Sequence, residues 1–368
     1  MTGKERIDHI LDKRSGNEIA WTTLMDQITI QGMPEDIQQK GVLEINKLAG
    51  LDTFQFGDYG IGDLGTGSPC KIVNPDVEHE SSRLSDDVTQ HTTRSQWGTL
   101  TTLFTQNHPA KYPVESIEDL QIYKDILINS TCEEILDDTY ESKCQRVLLI
   151  IGEDGIYCPA ITCSPVQDLL QHRMGVETFN YLLADHPQEV EELLGIMNKL
   201  KLQEMQIMCR RSPFRCMMPV ENTSTAMISP TQYKQYSVPQ MRAYADIIHK
   251  HGKIAIWHMC GHLSNLLPIF KETNLDGINS MTPPPIGNTD FDAALDILGE
   301  DFIILGGLMS HTLFHRPNVT RKELWHELDR IYTPRIRAAN FLLQVPSGAI
   351  PIPLKRFHMI RDWFEANR

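Results

Sequence analysis

The chain has 368 residues, 41% of them hydrophobic and 22% charged, which supplies both a large core and a solvated surface and allows two domains or one large α/β barrel. No run approaches the roughly 18 apolar residues of a membrane span, and a formal charge of −14 without clustered Lys and Arg argues against nucleic acid and anionic membrane as partners. Eight cysteines without a C-x-x-C pair read as reduced, mostly buried thiols. Met1–Arg14 carries charges of both signs and no apolar h-region, so a cytoplasmic protein acting on small molecules or proteins is expected.

In chain order, Met1–Ser15 reads as an amphipathic helix with Ile7, Ile10 and Leu11 on one face, and Glu18–Leu24 as a first strand. Pro34–Gly50 is helical by period, and Asp52–Gly57 forms a second strand running into a Gly-rich loop, Gly57–Gly67. That loop lacks the G-x-x-x-x-G-K-[ST] pattern of a phosphate cradle and reads as turns. About 72–103 is polar and alternating, a small antiparallel β insertion within a single domain spanning 1–368. Leu120–Leu136 has helical spacing and Val147–Gly152 reads as an apolar strand ending at Glu153. Helices follow at Val166–Met174 and Gly175–Leu183, and Pro187–Met208 carries Val190, Leu193, Leu194, Met197, Leu200 and Met205 on one stripe, its methionines read as core filler. Strands recur at Arg215–Val220, Lys253–Cys260, Gly277–Met281, Phe302–Leu308 and Phe341–Val345. Eight apolar strands alternating with amphipathic helices predict an α/β fold, a (β/α)₈ TIM barrel with an N-terminal helical extension, whose chemistry lies where the strands end.

Those ends carry Asp58, Glu153, Glu221 with Asn222, His258 with Cys260, Asn279 with Ser280, and Ser347. The stretch K-I-A-I-W-H-M-C-G-H (253–262) is central. Residues two apart in a strand face one side, so the His258 imidazole and Cys260 thiol converge without help from a loop. That is half of a tetrahedral zinc site. Glu221, one strand earlier and ahead of a turn-rich run, either caps or pairs locally or, taken with His258 and Cys260, faces the mouth and offers a third ligand. Asp58, Asn222, His262, Asn279 and Ser347 are expected to meet substrate. Trp21, Phe56, Tyr59 and Met281 would suit an aromatic ring as well as they would suit a core.

Several segments together resemble the uroporphyrinogen decarboxylase superfamily and, within it, the zinc-dependent methyltransferases that pass methyl groups to or from corrinoids. They are Arg94-Ser-Gln-Trp-Gly-Thr99, the run from Gly175 to Asp185 with the helix opened by Pro187, Ile228-Ser-Pro-Thr-Gln-Tyr233 with Val238-Pro239, His258-Met-Cys-Gly-His262, Thr282 to Asp290, Gly306-Gly307, and Ser347-Gly-Ala-Ile-Pro351. The resemblance implies zinc on His258 and Cys260, joined in such proteins by a cysteine on the last strand, where this chain has Ser347. A serine hydroxyl is a poor zinc ligand. Glu221 or another carboxylate then completes the site, or the metal is held more weakly, or it is absent. Ile19-Ala-Trp-Thr-Thr-Leu24 stands where the decarboxylases carry the arginines that gather substrate carboxylates, which argues against that named activity. The resemblance implies a methyltransferase moving a methyl group from a small O-methyl donor, such as a methoxylated aromatic, to the cobalt of a corrinoid carried by a partner protein. A homodimer is admitted as the assembly. The alternatives are a decarboxylase-like enzyme on another acid, and a non-catalytic barrel that binds a corrinoid protein.

Overall fold

The computed structural model describes residues 1–13, 18–106, 108–306, 311–346 and 350–368. Its strands are β1 (Ala20–Thr23), β2 (Thr53–Phe56), β3 (Cys70–Val73), β4 (Val77–Arg83), β5 (Val88–Ser95), β6 (Gly98–Thr105), β7 (His108–Lys111), β8 (Thr131–Glu134), β9 (Gly155–Cys158), β10 (Ala160–Ile161), β11 (Cys216–Pro219), β12 (Ile254–His258), β13 (Gly277–Met281), β14 (Ile303–Gly306) and β15 (Phe341–Val345). Seven form one parallel sheet in the order β1-β15-β14-β13-β12-β11-β10. β2 pairs in parallel with β9, the strand that leads through Pro159 into β10. The Asp52 N–H donates to the Trp21 carbonyl at 2.9 Å, joining the start of β2 to β1. Eight strand positions thus follow one another around the TIM-barrel-like fold expected from sequence.

Alternation along each strand divides the side chains into two sets. Ala20, Phe54, Phe56, Ile156, Cys158, Cys216, Met218, Ile256, Ile303, Leu305 and Leu342 fill the interior, while the opposite faces pack on the helices. Ile7, Ile10 and Leu11 of the N-terminal helix Gly3–Leu11 join the interior set. That helix, started by a Thr2–Glu5 capping box, contacts β1, β2, β9 and β15. It therefore closes the barrel at the end opposite the strand C-termini. Buried Asp52 ties it in place: its carboxylate accepts from Arg6 Nε (3.0 Å) and Nη2 (2.6 Å) and pairs with Arg368, which follows the C-terminal helix Leu354–Asn367.

The insertion is a four-stranded antiparallel sheet, β4-β5-β6-β7, and a second antiparallel pair joins β3 to β8. Three sequence expectations are corrected. Val147–Gly152 is the last turn of the helix Thr139–Ile151 rather than a strand. Val147 and Ile151, four apart, are buried, whereas Leu149 is 84% exposed, which is helical spacing. The strand is the following Gly-Ile-Tyr-Cys run, so Glu153 lies before it, exposed and beside Lys4 of the N-terminal helix, at the wrong end of the barrel for catalysis. The helical pattern of 34–50 divides at Gly41 (φ 80°), and that of 120–136 ends at Ile128, giving way to β8.

Candidate active site

His258 ends β12 with its ring stacked on Phe56 of β2, centroids 5.0 Å apart and planes at 25°. Its Nδ1 lies 2.6 Å from Asn279 Oδ1. The Asn279 amide is oriented by its neighbours: Nδ2 donates to Gln344 Oε1 at 3.1 Å, and Oδ1 also accepts from Ser280 Oγ at 3.2 Å. Asn279 Oδ1 is consequently an acceptor, His258 Nδ1 carries the proton, and Nε2 keeps its lone pair. Burial holds the imidazole below its usual pKa, which favours the neutral form. A second polar group that fixes the tautomer of a ligating histidine is the usual support of a metal site. The backbone records the same demand: β13 has an irregular register between Asn279 and Met281, with Ser280 at φ 69°.

Cys260, two residues on and exposed, donates its thiol to Asn222 Oδ1 at 3.4 Å. The Asn222 amide is set by Gln171, whose Oε1 accepts from Asn222 Nδ2 at 3.0 Å and whose Nε2 donates to the Glu221 carbonyl at 3.0 Å. The N–H groups of Glu221 and Asn222 both reach the His258 carbonyl, at 2.9 and 3.0 Å, and Asn222 takes φ 48° to do so. Farther along, Thr225 N–H donates to the His262 carbonyl and the His262 N–H to Ser224 Oγ. Gly261, at φ 152°, allows this approach, because a Cβ there would lie 2.7 Å from Ser224 Cβ. The loops after β11 and β12 are thus stitched together beside the thiol.

Glu221 does not take the expected place. Its fully buried carboxylate accepts from Ser164 N–H (3.1 Å) and Ser164 Oγ (3.0 Å), at the start of the helix Pro165–Asp168, and its second oxygen has no hydrogen-bond partner among the described residues. Its charge is felt by Tyr233 and Tyr244, which lie in the helical layer. Burial raises its pKa to about 7 against the pull of the Ser164 bonds and Lys201. Among the described residues no third imidazole, thiol or carboxylate joins His258 and Cys260 at ligand spacing. By chemistry alone, an imidazole nitrogen and a thiol sulfur are donors that zinc accepts. Ser347 lies outside the described residues.

Of the other expected site residues, Asp58 is committed to its own loop: Oδ1 accepts from Thr66 N–H and Tyr157 Oη, and Oδ2 from Gly67 N–H, at 2.6 to 2.9 Å. His262 is exposed. Trp21 is fully buried against Phe364, and Met281 also packs in the helical layer, so neither lines the mouth. Phe56 and the exposed Tyr59 remain available there. Sequence reading missed the polar residues that orient the site, Gln171 and Gln344, although a lone Gln in the apolar run F-L-L-Q-V is itself a signal. It also missed a second donor group: one ligand atom from each of Cys163, Asp168 and His172 lies within 4.8 Å of the others, a set that could hold a metal.

Residues 165–337 match the family model of uroporphyrinogen decarboxylase (URO-D), a span that takes in Asn222, His258, Cys260 and Asn279. No curated protein sequence matches significantly. Among solved structures, a methyltransferase from Methanosarcina mazei superposes with a TM-score of 0.60 at 12% identity, covering 100% of this chain and 99% of that one. The family pattern thus covers just under half of the chain, and the superposition shows a fold shared along its whole length.

Proposed function

We propose that this URO-D-type barrel is a methyltransferase that takes a methyl group from a small O-methyl donor, such as a methoxylated aromatic, and delivers it to a corrinoid presented by a partner protein. The observation that carries this reading is the His258–Asn279–Gln344 chain, which leaves a neutral imidazole with a free Nε2 two residues from an exposed thiol. The structural neighbour from M. mazei, itself a methyltransferase, agrees with it.

A zinc ion on His258 and Cys260 would supply Lewis-acid polarisation of the donor oxygen. The protein's own contribution is positional. Asn279 and Gln344 hold the imidazole in its ligating tautomer, and Phe56 fixes the ring plane by stacking. Asn222, oriented by Gln171, accepts from the Cys260 thiol and so fixes its direction. Phe56 and Tyr59 offer aromatic surface to a methoxylated ring, with the Tyr59 hydroxyl anchored on Asp26 Oδ2 at 2.9 Å.

Metal analysis and methyl transfer together test the reading. Purified protein is expected to hold about one zinc that depends on His258 and Cys260, so His258→Ala and Cys260→Ser each lose it. Wild type is expected to demethylate a methoxylated aromatic in the presence of reduced corrinoid, and both variants to fail. Retention of that zinc by both variants, or methyl transfer undiminished in them, would refute it.

A further inference from the structure

We propose that Cys163, Asp168 and His172 form a second, separate binding site for a thiophilic divalent metal ion of the zinc type. The group contains a sulfur, an oxygen and a nitrogen donor, the mixed set that such ions accept. One ligand atom from each lies within 4.8 Å of the other two, close enough to share an ion, and the group includes neither His258 nor Cys260.

Local chain geometry builds the cluster. Ser164 is the N-cap and Pro165 the first helical residue, so Cys163 lies just before the cap. After Asp168 the helix widens into a π turn over Leu169–Arg173, closed by the Met174 N–H on the Leu169 carbonyl at 2.8 Å. Such turns recur at functional sites because they re-aim side chains that a regular helix would direct elsewhere. The result is graded access: Cys163 is buried, Asp168 partly buried and His172 exposed, so an ion can enter from solvent on His172 and meet the thiol at depth.

The neighbouring cation bears on affinity. Arg173 Nε donates to Asp168 Oδ2 at 3.0 Å. A carboxylate has two oxygens and can serve a guanidinium with one and a metal with the other, but the Arg173 charge weakens the site relative to one without it.

The same turn carries Gln171, which orients Asn222 beside Cys260. An ion held at Cys163, Asp168 and His172 braces that turn, so its role is structural support for the loop next to the candidate active site. The inference does not depend on the methyltransferase reading, and the experiment keeps the two apart.

The test is titration with Co²⁺ alone in the His258→Ala/Cys260→Ser background, followed by thiolate-to-cobalt charge-transfer absorption and by thermal unfolding. About one equivalent is expected to bind with a charge-transfer band and to raise the unfolding midpoint. Adding Cys163→Ser is expected to abolish the band, and adding His172→Ala to weaken binding at least tenfold. His172 is exposed, so its replacement tests the site even where loss of the buried thiol disturbs folding. No cobalt binding in the double variant, or a band that survives Cys163→Ser, or affinity unchanged by His172→Ala, overturns the proposal.

Discussion

Glu221→Gln should change how the stability of the fold depends on pH. The native carboxyl sits fully buried on Ser164 with its pKa raised from an ordinary 4.5 to about 7. A raised carboxyl pKa means that the folded chain binds this proton more tightly than the unfolded chain does. Its contribution to stability is therefore fully present below about pH 4.5 and is lost as pH rises through about 7. At about 1.4 kcal/mol for each tenfold change in proton affinity, the whole effect is about 3 kcal/mol. Glutamine keeps a carbonyl that can accept from Ser164 and removes the titration. The measurement is urea unfolding of wild type and Glu221→Gln at intervals from pH 5 to 8. Other titrating groups cancel in the difference, which should move in the variant's favour by up to about 3 kcal/mol with rising pH. Parallel stability profiles for the two proteins would show that Glu221 is not a buried, proton-holding carboxyl, and the assignment of its environment would fail.

Three further outcomes are expected. Asn279→Ala removes the acceptor that fixes the His258 tautomer and should lower zinc affinity by about 10- to 100-fold, read by competition with a chromophoric chelator; unchanged affinity would mean that the tautomer is set elsewhere. Arg6→Ala withdraws two hydrogen bonds from buried Asp52 and should cost about 3 kcal/mol, less whatever Arg368 retains; denaturant unfolding measures it, and a loss under about 0.5 kcal/mol, the range of ordinary surface changes, would count against the bond network. Ser347→Cys should tighten zinc and slow demethylation of an ether substrate, because added thiolate charge makes the ion a weaker Lewis acid; tighter zinc with unchanged or new activity toward thiols would refute the ether reading.

The barrel was legible because eight short apolar strands, spaced by amphipathic helices, leave few alternative ways to bury their faces. Two strands, Gly277–Met281 and Phe341–Val345, fall at the residues expected. The misread was local. The run V-L-L-I-I fits a strand by composition, but helical burial at Val147 and Ile151 outweighed β propensity once the Gly-Ile-Tyr-Cys run took the strand position beside β2.

The site was legible where one strand decides it and illegible where the chain turns. His258 follows Ile254 and Ile256 into the barrel, so alternation alone carries its ring to the mouth. The same rule, applied to β11, holds only to the end of the strand. Cys216 and Met218 face the interior and Val220 packs against it, whereas Met217 faces the helices. Past the end of β11 the Glu221 and Asn222 N–H groups share the His258 carbonyl and Asn222 takes φ 48°, so the Glu221 carboxylate reaches Ser164 while the Asn222 amide meets Cys260. Neither the shared carbonyl nor the positive φ has a signature in the residues Glu221-Asn222 themselves. The amide at position 222 thus adjoins the thiol while the Glu221 carboxylate turns to Ser164, and among the described residues the negative charge around a metal on His258 and Cys260 would come from Cys260 itself. A metal with that little charge around it would polarise an ether oxygen better than it would activate a thiol, which is the contrast the Ser347→Cys measurement reads.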